Sequence, residues 1–440
     1  MLRDSIYVRS TQTCSTQGIE RPPRLMLETG MHFATVAYRP FFDGKGRRSS
    51  GLNIRMGIHH LRRVSMSKKI LALALAAASG AAFAQSNVTI YGNVDVGWVN
   101  TSGNNGGVTT AASRNAVQSA GSESYIGFKG AEDLGNGLKT IFDLQYRISP
   151  DANTGLSTAG HQYVGLTGGF GTAVAGYLDG IRYGIYGKYN PFGNYSIGNF
   201  ASMTTQYDRA QNAVAYISPS MNGFTLVLAT ATNTQGAEGS LNSVHVPAIS
   251  SQGNHGDDRL FSANLQYANG PLKADVDYET TRAVGYDNNR LYVFTTGASY
   301  DFGPVKIGGV YDIIKGDPNS LIGGNIDLDS TKAGLQNLGG LAAGQSYDRR
   351  NWFLGASVPL GRYSLLGSYG KVQDKTLSNA DASKWAIGVR YTLSKRTELY
   401  ADYAHIKNDS NAAFQINPNG NSAGSSNGVN GIAMGMKHSF

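Results

Sequence analysis

Residues 87–98 read NVTIYGNVDVGW, and their parity decides the fold. Val88, Ile90, Val94, Val96 and Trp98 fall on one side of a two-residue period; Thr89, Tyr91, Asn93 and Asp95 fall on the other. Such alternation places apolar and polar side chains on opposite faces of a strand. It recurs along the chain. Leu138, Phe142, Leu144, Tyr146 and Ile148 oppose Lys139, Asp143, Gln145 and Arg147, and Leu272, Ala274, Val276 and Tyr278 oppose Lys273, Asp275, Asp277 and Glu279. Near the C-terminus Trp385, Ile387, Val389, Tyr391 and Leu393 oppose Lys384, Gly388, Arg390 and Thr392.

A soluble β-sandwich alternates in the same way, with its apolar face inside. A membrane barrel turns the apolar face to lipid, lines its lumen with the polar face and carries aromatics near the strand ends. Trp98, Tyr300, Phe302, Tyr391 and Phe440 sit at such ends, and no run of 18 apolar residues follows residue 85. Helical spanning is thereby excluded, and only a closed sheet satisfies backbone polar groups in hydrocarbon. Segments of this kind number sixteen, the second at 122–130 and the last at 429–440. Short connectors such as GGFG, ANG and DFG alternate with long polar ones at 99–121, 179–207, 232–258, 314–345 and 408–428. The expectation is an all-β fold: a 16-stranded antiparallel transmembrane β-barrel with short periplasmic turns and long extracellular loops.

Upstream, Met66 begins MSKKILALALAAASGAAFAQ. Lys68 and Lys69 form a basic region, Ile70 to Ala78 an apolar one, and Ala82-Phe83-Ala84 a small-residue cleavage site. That is a secretory signal peptide over 66–84, too short to anchor a membrane helix. Residues 1–65 read as a start-site artefact or an extension, and 85–440 as the barrel. Taking away the 13 basic and 4 acidic residues of 1–84 leaves 25 and 26, so the formal charge falls from +8 to −1. The basic balance that hints at nucleic acid therefore belongs to the leader. The single cysteine, Cys14, goes with it, leaving no disulfide or thiol chemistry.

Catalysis finds no support. His161, His245, His255, His405 and His438 are scattered, no Gly-x-Ser-x-Gly stands in a strand-to-helix context, and no His-Glu-x-x-His motif is present. GGFGTAVAG lies in a tight turn between strands, with no following helix to cradle phosphate. No enzyme activity, cofactor, metal or nucleic-acid partner is expected.

The segments VTIYGNVDVG, YIGFKGAEDLGNGLKTIFDLQ, YVGLTGGFGTAVAG, YANGPL, GASYDFG, YTLSKRTELYADYAHIKN and the closing GMKHSF, in this order, resemble the trimeric general porins of Gram-negative bacteria, beta-proteobacterial type. The resemblance spans 85–440. It implies a homotrimer of water-filled channels in the outer membrane, among its lipids and lipopolysaccharide, passing small hydrophilic solutes and ions by passive diffusion. It further implies that the terminal Phe440 is presented to the barrel-assembly machinery, and that the third long loop, 179–207, folds inward as the constriction.

Family members carry three wall arginines that this chain lacks. Tyr125, Tyr177 and Ala215 stand where the patterns Ser-Arg-x-Gly-Phe, Leu-Gly-Arg and Asn-Ser-Val-Arg-Tyr put them. Selectivity follows charge and width at the narrowest point. The charges expected there are Arg147, Arg182 and Arg209 against Asp143, Asp179 and Asp208. Within the loop, YGIYGKYNPFGNY brings Tyr183, Tyr186, Lys188 and Tyr189. Their spacing suits a short helical turn ended by Pro191, with rings facing the pore; the alternative packs the rings on the wall and leaves only Lys188 in water. A non-conducting barrel acting as adhesin or structural protein is the competing functional reading.

Overall fold

The computed structural model describes residues 41–42, 48–49, 87–103, 113–152, 155–156, 158–204, 209–232, 258–283, 290–317, 347–375, 381–410, 412, 414–416 and 428–440. The stretch 66–84, expected to be a signal peptide, lies outside them. Residues 1–74 and 75–440 form separate units. Of the first, a short antiparallel pair is described, Phe41–Phe42 with Arg48–Ser49.

The second unit is a closed antiparallel barrel of sixteen strands, each paired with its neighbours in the chain. β1 (Asn87–Ser102) pairs with β2, which is in two pieces, Arg114–Gln118 and Tyr125–Gly135. β3 (Leu138–Arg147), β4 (Thr158–Gly168), β5 (Gly171–Asp179), β6 (Arg209–Ile217), β7 (Phe224–Ala231) and β8 (Asp258–Asn269) follow. β9 (Leu272–Ala283), β10 (Arg290–Asp301), β11 (Lys306–Gly316) and β12 (Tyr347–Leu360) continue the wall. β13 (Tyr363–Asp374), β14 (Ala382–Thr392), β15 (Thr397–Asn408) and β16 (Asn430–Ser439) complete it. β16 closes on β1 from Asn430↔Ser102 to Ser439↔Asn93. Phe440 and Gly92 then exchange both backbone hydrogen bonds, at 3.0 and 3.1 Å, so no edge is left open.

The alternation resolves as an inside-out protein. Val88, Ile90, Val164, Leu354 and Ile387 are more than half exposed on the outside, while Asp95, Asn264, Asp277 and Asn351 are buried inside. Two aromatic girdles bound the apolar belt. Tyr300–Phe302 and Tyr363–Tyr391 stand at the short-turn rim, and Trp352–Tyr369 and Trp385–Tyr403 near the long-loop rim. Among the described residues no helix is long and apolar enough to cross a membrane; the strands cross it.

β2 departs from the expected segment at 122–130. Its lower piece runs on to Gly135, and Asn136 and Gly137, both at positive φ, form the tight turn. Above Tyr125 the ladder breaks, then resumes at Gln118. Six residues of β2, 119–124, oppose the three of β1 between Asn93 and Gly97. The surplus folds into the barrel.

Candidate functional site

The loop after β5 also turns inward. Its first part is a nine-residue helix, α1 (Ile181–Tyr189), longer than the single turn expected. Asn190 is extended because the next residue is Pro191, and the helix stops there. Two glycines within nine residues weaken α1 on propensity alone, so docking must hold it.

That docking uses the face carrying Arg182, Tyr183, Ile185, Tyr186 and Tyr189, all buried. Arg182 is sealed: its guanidinium donates to Thr295 Oγ1 (3.0 Å) on β10, and to Asp312 Oδ2 and Thr204 Oγ1 (both 2.5 Å), on β11 and the loop's return leg. Tyr186 donates its phenol to the same Asp312 carboxylate, and its ring stacks on Phe200 at 6.4 Å. Tyr189 donates to Asp275 on β9, which also takes Lys188 Nζ at 2.6 Å. Burial, and then the neighbouring carboxylate, hold the Tyr186 and Tyr189 phenols above their ordinary value of 10.

The wall makes room with glycine. A Cβ on Gly297 of β10 would lie 2.5 Å from the Tyr189 ring. One on Gly355 of β12 would meet Pro191 at 2.5 Å, and one on Gly370 of β13 would meet Phe200 at 2.4 Å. The return leg is tied down by Lys384 of β14, whose ammonium donates to the Asn199 carbonyl, and by Asn351 Nδ2 to Thr204 Oγ1 at 3.1 Å. After β15 the chain comes back as well: Phe414 and Ile416 are buried in the apolar cluster that holds Ile197, Phe200 and Met203.

Two expectations are therefore corrected. Arg182 does not line the pore; its side chain is about 1% exposed and anchors the loop. Tyr183, Tyr186 and Tyr189 turn to the wall because their rings complete an apolar cluster and two of their hydroxyls meet carboxylates there. Lys188 keeps its side chain one-third exposed beside Asp275.

The opposite wall, β2 to β6, is a lattice of charge and phenol. Arg147 is paired with Glu123, and its Nη2 donates to Tyr195 Oη of the loop at 3.2 Å. Arg209 reaches Glu123 Oε2 (3.3 Å) and Asp179 Oδ1 (2.9 Å). His161 stands between Asp179 (Nδ1, 2.9 Å) and Asp143 (Nε2, 3.4 Å), and Asp143 accepts from Tyr91 at 2.6 Å. Tyr125 is inward, opposite Asn93 and Arg147, with its ring edge-on to Tyr91 at 5.9 Å. Tyr177 is half-buried at a register shift between Gly176 and Leu178, which interrupts the alternation on which its inward placement rests. Asp208 lies outside the described residues.

Sequence reasoning missed Glu123, His161, Tyr195 and the wall anchors Asp312 and Thr295. His161 has inward parity with Tyr163 and was legible as such; Glu123 sat in a stretch read as the start of a strand.

A family model described as Gram-negative porin matches residues 72–411. Outer membrane porin protein 32 of Delftia acidovorans is 30% identical over 397 residues, covering 85% of this chain and all of that one. The chain is a Gram-negative porin. Major outer membrane protein P.IA of Neisseria meningitidis serogroup C is 27% identical over 417 residues, again covering 85% and 100%. Among solved structures, the anion-selective porin from Comamonas acidovorans superposes with a TM-score of 0.62 at 24% identity, over 81% of this chain and all of that one. The porin belongs to the bacterial outer membrane, where it forms a channel for passive diffusion of small solutes. Porins are channel proteins rather than enzymes.

Proposed function

We propose that the narrowest part of this porin lies between the docked loop and the β2–β6 wall. It is bordered by Arg147, Arg209, Asp143, Asp179, Tyr125 and Tyr163 on the wall and by Lys188 and Tyr195 on the loop. The observation that carries this is the hydrogen bond from Arg147 on β3 to Tyr195 on the loop, where the two sides come within 3.2 Å. Both wall arginines are ion-paired with carboxylates, which favours small hydrophilic solutes and ions with weak charge discrimination over strong anion selectivity. No reaction is assigned to the lumen.

The assembled form proposed is a homotrimer, with Phe440, 42% exposed on the outer face, as the signal to the assembly machinery. Lipopolysaccharide phosphates are the partner proposed for the long-loop rim. There Arg259, Arg282 and Arg290 are exposed and stand side by side in the β8–β9–β10 register. Trimers that melt to monomers only on heating in detergent would support the assembly.

Planar-bilayer recording tests the channel itself. Stepwise ohmic currents are expected, and their absence from intact trimers favours the adhesin reading instead. Deleting residues 183–195 should raise single-channel conductance roughly two-fold, since conduction scales with the open cross-section. Unchanged conductance would remove this loop from the constriction.

A further inference from the structure

The strand break at 119–124 has the build of a device for holding one carboxylate. Asp95, buried on β1 directly opposite the break, accepts from the backbone N–H groups of Ala120 (2.6 Å) and Gly121 (3.1 Å), and from Tyr400 Oη of β15 at 2.9 Å. Ser124 Oγ accepts from the Asp95 N–H at 2.8 Å and meets Ser119 Oγ at 2.8 Å, which stitches the two ends of the turn together. Asn93 Nδ2 donates to the Glu123 carbonyl and to Ser122 Oγ, both at 2.7 Å. Ser124 accepts in turn from the Ile148 N–H at 3.0 Å, which fixes the turn to the end of β3. An uninterrupted β2 would need none of this.

The product of the arrangement is Glu123. Its Oε1 faces Arg147 and its Oε2 faces Arg209, so a single carboxylate joins guanidiniums from β3 and β6. Of the charged groups here, Arg147 and Arg209 are the cations; Glu123, Asp143 and Asp179 are the anions, with His161 between the last two. The two arginines touch Glu123 and Asp179. Removing Glu123 takes the cluster from two cations against three carboxylates to two against two, a gain of one unit of positive charge beside Tyr195, where loop and wall meet.

We infer that the 119–124 turn is a selectivity element of this porin: it places Glu123 at the narrowing to neutralise Arg147 and Arg209, and so withholds an anion preference that those arginines would otherwise confer. Glu123 acts on permeating ions through the field of the cluster. This rests on the porin reading, and the two fail differently. Loss of all stepwise current defeats the channel, whereas normal current with an unmoved reversal potential defeats only the role of Glu123.

The test is the zero-current potential of purified trimers in a potassium chloride gradient. Glu123→Gln should raise the chloride-to-potassium permeability ratio about three-fold, the effect of one unit charge acting oppositely on the two ions across roughly 14 Å of water-filled lumen. The shift should shrink as salt is raised toward 1 M. Arg209→Gln alone should move the ratio the other way, and Glu123→Gln with Arg209→Gln should return it close to the native value. A structural role for Glu123 does not produce that cancellation. An unmoved ratio in either single variant overturns the proposal, and the Arg209→Gln measurement decides the matter even if Glu123→Gln does not assemble.

Discussion

The inner walls of β9–β14 and of β2–β6 face the same lumen and are built on different physics. The first is dry: Tyr186, Tyr189, Pro191 and Phe200 fill recesses at wall glycines, around an Arg182–Asp312 pair that is almost wholly removed from water. The second is wet, with Arg147, Asp179, His161 and Asp143 partly exposed and sharing partners across four strands. A barrel has no interior core of its own, so any large apolar core must be brought in by a loop. Among the described residues the larger apolar cluster is the one the loop brings, and a smaller one lies on β6–β11. The docked side sets width, because breaking it moves backbone; the wet side sets charge, because its groups can change without moving the wall.

The largest effect should come from splitting the dry ion pair. Arg182→Met leaves Asp312 buried beside an apolar side chain, a loss of about 3–5 kcal/mol in docking. The loop should come loose, seen as higher, noisier conductance from trimers that still assemble. Steady native-sized steps would show that the pair does not hold the loop.

Gly297→Val puts a branched side chain where Tyr189 lies and should weaken docking by about 1–3 kcal/mol. Conductance noise between native and Arg182→Met would sharpen the comparison. The matching change on the wet side, Gly127→Ala, has a different consequence: it would displace only the Tyr91 ring, whose Cζ lies 2.3 Å from the added Cβ.

Alkaline titration separates the walls next. The Tyr186 and Tyr189 phenols are held above 10 by burial and a carboxylate, so the docked state binds their protons more tightly than the undocked one. Their contribution is fully present below pH 10 and declines as pH rises beyond it. Conductance should be flat from neutrality to about pH 10, then grow noisy. Tyr186→Phe with Tyr189→Phe should remove that alkaline change. The same transition in the double variant would place its cause elsewhere.

The smallest effect is expected from Tyr125→Arg on the wet wall, a shift toward anions of about two- to three-fold with conductance little altered. Large conductance changes here would mean that this wall sets width as well.

Period-two alternation and the spacing of short turns were enough to read a sixteen-stranded barrel, because each strand must present one face to lipid and one to water whatever its neighbours do. The end of α1 at Pro191 and the inward place of Asp143, Arg147 and Tyr125 were legible for the same local reason. Which way the rings of α1 point was not. An aromatic on a lumen loop is equally compatible with water and with a wall, and the choice depends on recesses at Gly297, Gly355 and Gly370, residues that lie more than a hundred positions away. The signal was present as glycine and apolar residues at inward parity on β10–β15, such as Gly297, Val310, Val372 and Ile406, where a polar lining is the rule.

The inward turn at 119–124 lay deeper still. Strand pairing is a relation between two segments, and an excess of three residues shows only when β1 and β2 are set in register. By itself the sequence determined the barrel, its count and its two faces, since these follow from backbone hydrogen bonding and the partition of each residue between lipid and water. Tertiary structure alone decided that Arg182 is an anchor rather than a pore charge and that Glu123 joins two arginines, because both depend on long-range contacts between side chains that no local period encodes.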